Sequence, residues 1–176
     1  MASAASFSKV TFSSSAIAMI WIHSQIMAIA EEEKVTLEKD AAEAIVHVSL
    51  GDMRKAITAL QVAASLDPHI TRALIYETTA TAPPEELHAF LLSCKRDGFH
   101  PARRRLQELL DIYGLAGTDF VNQLHRAMYD AEFLEEKHKL SLTEMLAEVD
   151  FRLVEGGGEA LQLDAMCSSI CRNLAD

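Results

Sequence analysis

From Ala30 onward, apolar side chains recur with the 3.6-residue period of an α-helix, and turn and cap residues punctuate them at short intervals. Ala41, Ala44, Ile45 and Val48 form a first stripe, with Thr36 placed to cap its helix and Glu38 in the first turn. Gly51 suits a helix-ending residue of positive φ, and Asp52 suits the N-cap of the next helix. That helix has Met53, Ala56, Ile57, Leu60 and Ala64 as its expected buried face, and "ITRALIYETT" fits a third, short one. These three helices predict a compact unit over 29–82.

"TAPPEEL" marks a boundary. Two prolines break what precedes them, and Pro84 with Glu85 and Glu86 makes a favourable first turn for a new helix. Beyond it, helical spacing links Leu87, Phe90, Leu91 and Cys94, then Ala102, Leu106, Leu109 and Leu110, then Phe120, Leu124 and Met128, then Leu142, Leu146, Val149 and Leu153. Gly156, Gly157 and Gly158 stop the fourth helix and "EALQLDAMCSSICRNLA" supplies a fifth, so 83–176 reads as a five-helix bundle. No strand pattern with turn chemistry is evident, and no repeat of 30 to 45 residues points to a solenoid. The expected fold class is all-α.

Residues 1–28 differ from the rest. "MASAASFSKVTFSSS" is rich in Ser and Ala, and "AIAMIWIHSQIMAIA" is apolar but interrupted by His23, Ser24 and Gln25, too short and broken to span a bilayer. The expected reading is a divergent, flexible leader followed by a helix that packs on the domain. A signal peptide, suggested by Lys9 ahead of an apolar run, is the alternative, although no clear small-residue cleavage site follows.

The chain is 176 residues long, 49% apolar and 24% charged, within the globular range. Its formal charge is −10, and because the first 30 residues carry one Lys and no acid, the remainder holds 15 basic against 26 acidic side chains. So negative a surface repels phosphate backbones in general, which confines any nucleotide or nucleic-acid contact to a local site. Three cysteines, Cys94, Cys167 and Cys171, suit a reducing cytosol rather than a disulfide framework. Cys167 and Cys171 lie one helical turn apart and could share a metal, but no His or second Cys pair at ligand spacing accompanies them, so the expectation is buried free thiols and no metal.

Phosphate-binding loops, dinucleotide fingerprints, zinc-protease helices and nucleophile elbows are all missing from the sequence. The sharpest local feature is Gly51-Asp52-Met53-Arg54, because Arg54 and Lys55 put cations in a helical first turn, where the macrodipole disfavours them. With Asp52 as N-cap, the Arg54 guanidinium can swing past a helix end that already favours anions and meet a terminal phosphate. The alternative is that both cations are simply solvated. "CKRDGFHPARRRL" gathers Lys95, Arg96, Arg103, Arg104 and Arg105, read as a connecting turn whose charges pair with nearby acids rather than as a phosphate patch. His47 is read as packed rather than ligating. Glu148, Asp150, Arg152 and Glu155 are expected to make ion pairs rather than acid/base chemistry.

Four ordered blocks, "GDMRKAITALQVAA", "YETTATAPPEEL", "RRLQELLDIYGLAGTDFVNQLHRAMY" and "LAEVDFRLVEGGGEALQLDA", resemble the C-terminal part of the small subunit of replication factor C, the sliding-clamp loader, most like its archaeal form. The resemblance runs from about Ile29 to Ala175. It implies an AAA+ lid over 29–82 and a collar, the oligomerisation domain that holds subunits in a ring, over 83–176. It also implies that Arg54 occupies the sensor-2 position, where the family's arginine contacts the γ-phosphate of bound ATP. The family's P-loop, Walker B acids, sensor-1 residue and Ser-Arg-Cys motif have no match in this sequence, and "VEGGGEALQL" is richer in Gly than the family's usual turn.

The expected function is that of a truncated clamp-loader small subunit retaining lid and collar. It would serve DNA replication through subunit assembly and would not be an enzyme by itself. ATP and Mg would belong to the complete complex. Its partners would be large and small loader subunits and, through the complex, the sliding clamp and primer-template DNA, in the cytoplasm and without a membrane. Leu142 and Leu146 are candidate positions for facing a neighbouring subunit. A stand-alone helical adaptor is the competing reading, and an ATP-binding regulator using Arg54 a third.

Overall fold

A computed structural model describes residues 14–175, so the Ser/Ala-rich leader before Ser14, with Lys9, lies outside the described residues. The elements are α1 (Ser14–Glu32), β1 (Thr36–Leu37), α2 (Lys39–Ser49), α3 (Met53–Leu66), β2 (His69–Ile70), α4 (Arg72–Thr78), α5 (Pro84–Arg96), α6 (Phe99–Tyr113), α7 (Gly117–Asp130), α8 (Glu136–Val154) and α9 (Glu159–Leu174). They form two compact units, one running to Ile75 and one from Tyr76. The fold is all-α in class, with one two-residue parallel bridge among the described residues.

In the first unit α1, α2 and α3 pack on one another. α1 contributes Ile22, Ile26 and Ala30, spaced by one helical turn and buried, while Ile17, Ile20, Trp21 and Met27 on its other faces are exposed. The broken apolar run is therefore a helix seated on the domain. Its outer side is also apolar, which is why no clean polar face shows in the sequence. From α2 come Ala41, Ala42, Ala44 and Ile45, and from α3 Ala56, Ala59, Leu60 and Ala63. The buried face of α3 is rotated from the expected one, with Met53, Ile57 and Ala64 only half-buried at its edges.

Two expectations fail here. Thr36 does not cap α2: Thr36 and Leu37 pair in parallel with His69 and Ile70, and the Thr36 N–H donates to the Pro68 carbonyl. The N-cap residue is Glu38, whose carboxylate instead meets His69 Nε2 at 2.9 Å. A bridge of two residues is too short to leave an alternating pattern in sequence.

The second unit is a five-helix bundle, as expected, in which α5 packs on α6, α7 and α9, α6 on α9, and α8 on both α7 and α9. Phe90 and Phe120 meet edge-on at its centre, with ring centroids 5.5 Å apart. Pro84 opens α5 with Glu85 and Glu86 in the first turn. Buried Gln123 of α7 holds the segment that leads into α5, accepting from the Ala82 N–H at 2.8 Å and donating to the Ala80 carbonyl at 3.1 Å. After α8, Gly156 turns at φ +87°, and a Cβ on Gly157 would lie 2.7 Å from the Arg152 carbonyl oxygen. That close backbone approach favours a residue without a Cβ at Gly157.

The helix α8 is apolar on two opposite faces. Leu142, Leu146 and Val149 are buried in the bundle. Leu140, Ala147, Phe151 and Val154, which fall on one line at 100° per residue, are exposed, as is Leu161 of α9. Leu142 and Leu146 are thus core residues with 1% and 2% exposure, and the outward stripe sits on the other side of the helix.

Candidate functional site

The turn from α2 to α3 is built by three residues of unlike chemistry. Leu50 ends α2 in the left-handed region at φ 52°, and Gly51 follows at φ +84°, which only glycine takes without strain. Asp52 then adopts extended backbone, and its Oδ1 accepts from the N–H groups of Arg54 at 2.8 Å and Lys55 at 3.3 Å. The Asp52 N–H returns to the Ser49 carbonyl at 3.0 Å, closing the turn.

Asp52 changes how an anion could be held. Two first-turn amides that would otherwise face a phosphate are already donating to a carboxylate, so the helix end is largely satisfied. What remains for a phosphate is side-chain charge: Arg54 and Lys55 are both exposed beside this capped end. Between the two, a planar guanidinium is the better match for a terminal phosphate. The same carboxylate explains how α3 tolerates two cations at its positive end, because its charge offsets theirs locally.

The other charged stretches are spent within the second unit. Arg103 Nε meets Asp164 Oδ1 at 2.7 Å and Arg105 meets Glu86 at 2.8 Å, while Lys95 Nζ donates to the Phe133 carbonyl. Arg96 and Arg104 of that cluster are exposed. Arg152 pairs with Glu148 one turn away at 2.9 Å, and Asp150 accepts from Asn122. These contacts are structural ion pairs and hydrogen bonds, and they bring no carboxylates together among the described residues. His47, expected to be packed, is exposed on α2; the buried histidine is His138 of α8, whose ring nitrogens have no hydrogen-bond partner among the described residues.

The cysteines come together in a way the spacing did not disclose. Cys94 of α5 joins Cys167 and Cys171 of α9, and the three sulfurs lie within 4.8 Å of one another, all as free thiols. Cys94 and Cys167 are buried and Cys171 is half-buried. The Cys94 thiol hydrogen-bonded to Cys167 holds the latter below the ordinary thiol range, helped by Cys171 and Arg103 and opposed by burial and Asp164. The same contact and its own burial push Cys94 well above that range. A sequence signal existed only in part: the one-turn spacing of Cys167 and Cys171 was visible, and the 73-residue separation of Cys94 hid the third sulfur.

Comparison with known proteins accounts for both units in order. Residues 24–65 match the AAA+ ATPase lid domain of the RCF1/5-like type, and residues 82–169 match the replication factor C C-terminal domain. Replication factor C small subunits are similar to most of the chain: that of Methanocella arvoryzae is 42% identical over 141 residues, covering 80% of this chain and 44% of the relative. Those of Methanosarcina barkeri and Archaeoglobus fulgidus are each 40% identical, covering 82% and 80% of this chain and 46% and 44% of theirs. The chain therefore spans a little under half the length of these relatives. Among the described residues, no helix is long and apolar enough to cross a membrane. With a lid domain and a C-terminal domain matched in the family's order, and archaeal small subunits 40% or more identical across four-fifths of its length, the chain belongs to the replication factor C small-subunit family.

Proposed function

We propose that the chain acts as a clamp-loader subunit whose second unit is the collar that assembles with other large and small loader subunits. The observation that carries this reading is the second apolar face of α8. Leu140, Phe151 and Val154 are 60–69% exposed and line one side of α8, an outward face that the bundle's own packing leaves uncovered. An apolar face left open on a closed bundle is stabilised by a partner surface, and the family to which the chain belongs supplies one in its other subunits. The complete complex would load the sliding clamp onto primer-template DNA with ATP and Mg, in the cytoplasm.

Within that complex, Arg54 would serve as the sensor-2 arginine, reaching the γ-phosphate by its guanidinium alone, because Asp52 occupies the amides beside it. Besides Arg54 this turn offers a phosphate only the exposed Lys55 ammonium, so catalysis of ATP hydrolysis would rest on an ATPase core. Arg54→Ala in an assembled loader is expected to lower clamp-dependent ATP turnover while leaving subunit assembly intact; unchanged turnover would remove Arg54 from the site.

Recovery of the protein from its native source with an antibody against α8–α9, followed by intact mass determination, tests the assignment. Replication factor C subunits arriving in stoichiometric amount are expected. The chain recovered without them would favour the stand-alone adaptor.

A further inference from the structure

Cys94, Cys167 and Cys171 are all the cysteines of the chain, and the fold gathers all three although 73 residues separate the first from the second. Cys94 projects from the last turns of α5, and Cys167 and Cys171 from successive turns of α9, two helices packed side by side in one bundle. Metal–thiolate bonds of about 2.3 Å in a trigonal arrangement place sulfurs about 4 Å apart. The observed sulfurs already lie within 4.8 Å of one another, so only small rotations of side chains would close them on an ion.

We propose that these three thiols form a three-coordinate site for a soft, thiophilic d10 cation of the Cu(I) type, linking α5 to α9. Three features favour this class. The donors are all sulfur, which selects soft ions over Mg or Ca. The cluster comprises three residues among the described ones, one short of the four ligands of a structural zinc site. Half-buried Cys171 gives a route inward from solvent to the two buried sulfurs. Binding exchanges three S–H bonds for three S–metal bonds and releases three protons to solvent, with no change in oxidation state.

Anaerobic titration of the full, reduced chain with Cu(I) against a chromophoric chelator tests this. One ion per chain is expected, with Zn(II) bound more weakly for want of a fourth protein ligand. Loss of an outer-shell partner already lowers metal affinity by about 10–100-fold, so Cys94→Ser, which removes a direct ligand, is expected to weaken Cu(I) by more than that. Bound Cu(I) is also expected to protect all three thiols of the unmodified chain from alkylation, a readout that needs no variant. Unaltered affinity in a folded Cys94→Ser chain, Zn(II) bound as tightly as Cu(I), or thiols that alkylate equally fast with and without Cu(I) would each overturn the site.

Discussion

The two units are all-helical but are held together by different means. In the first, the contacts among α2 and α3 are made largely by alanine: Ala41, Ala42, Ala44, Ala56, Ala59 and Ala63 are buried, with Ile22, Ile26, Ile45, Leu60, Ile70 and Ile75 as the unit's larger side chains. In the second, Phe90, Phe120, Met128 and many leucines fill the centre. Alanine lets helices approach closely but removes little apolar surface per residue from water, whereas each aromatic or leucine contributes about 1.5–3 kcal/mol on full burial. The contrast teaches that the first unit is sensitive to added volume and the second to lost volume.

Three substitutions break or sharpen that contrast, in decreasing size. Phe120→Ala removes a fully buried ring that stacks edge-on with Phe90 and is expected to destabilise the second unit by about 3–5 kcal/mol. Denaturant unfolding followed by hydrogen exchange should show the loss in α5 and α7, with α2 and α3 unchanged. Ala63→Leu does the reverse, forcing extra carbons into a site of 0% exposure and costing about 1–3 kcal/mol, read as lost protection in α2 and α3. Asp52→Ala removes the α3 cap and leaves two cations at an uncompensated helix end, for a loss of about 1 kcal/mol that salt should lessen.

Local chemistry was legible in the sequence and long-range placement was not. Gly51, Asp52, Pro84 and the four apolar stripes named for the second unit act through neighbours three or four residues away, so spacing alone located them. Thr36 misled because pairing with His69, 33 residues on, overrode its capping tendency. Leu142 and Leu146 were sound as apolar positions, but α8 has two apolar faces, and periodicity does not say which one meets the chain's own core. Cys94 belonged to a stripe on α5, and nothing nearby announced the two sulfurs waiting on α9.

The central claim is that the outward face of α8 is an assembly surface. Light scattering of the chain co-expressed with replication factor C subunits from its own source, with and without Leu140→Asp and Phe151→Asp together, tests it most directly. A multi-subunit mass that falls to the single-chain value in the double variant, whose helix content is retained because both side chains lie outside the core, is the predicted result. An assembly of the same mass in both would contradict the account.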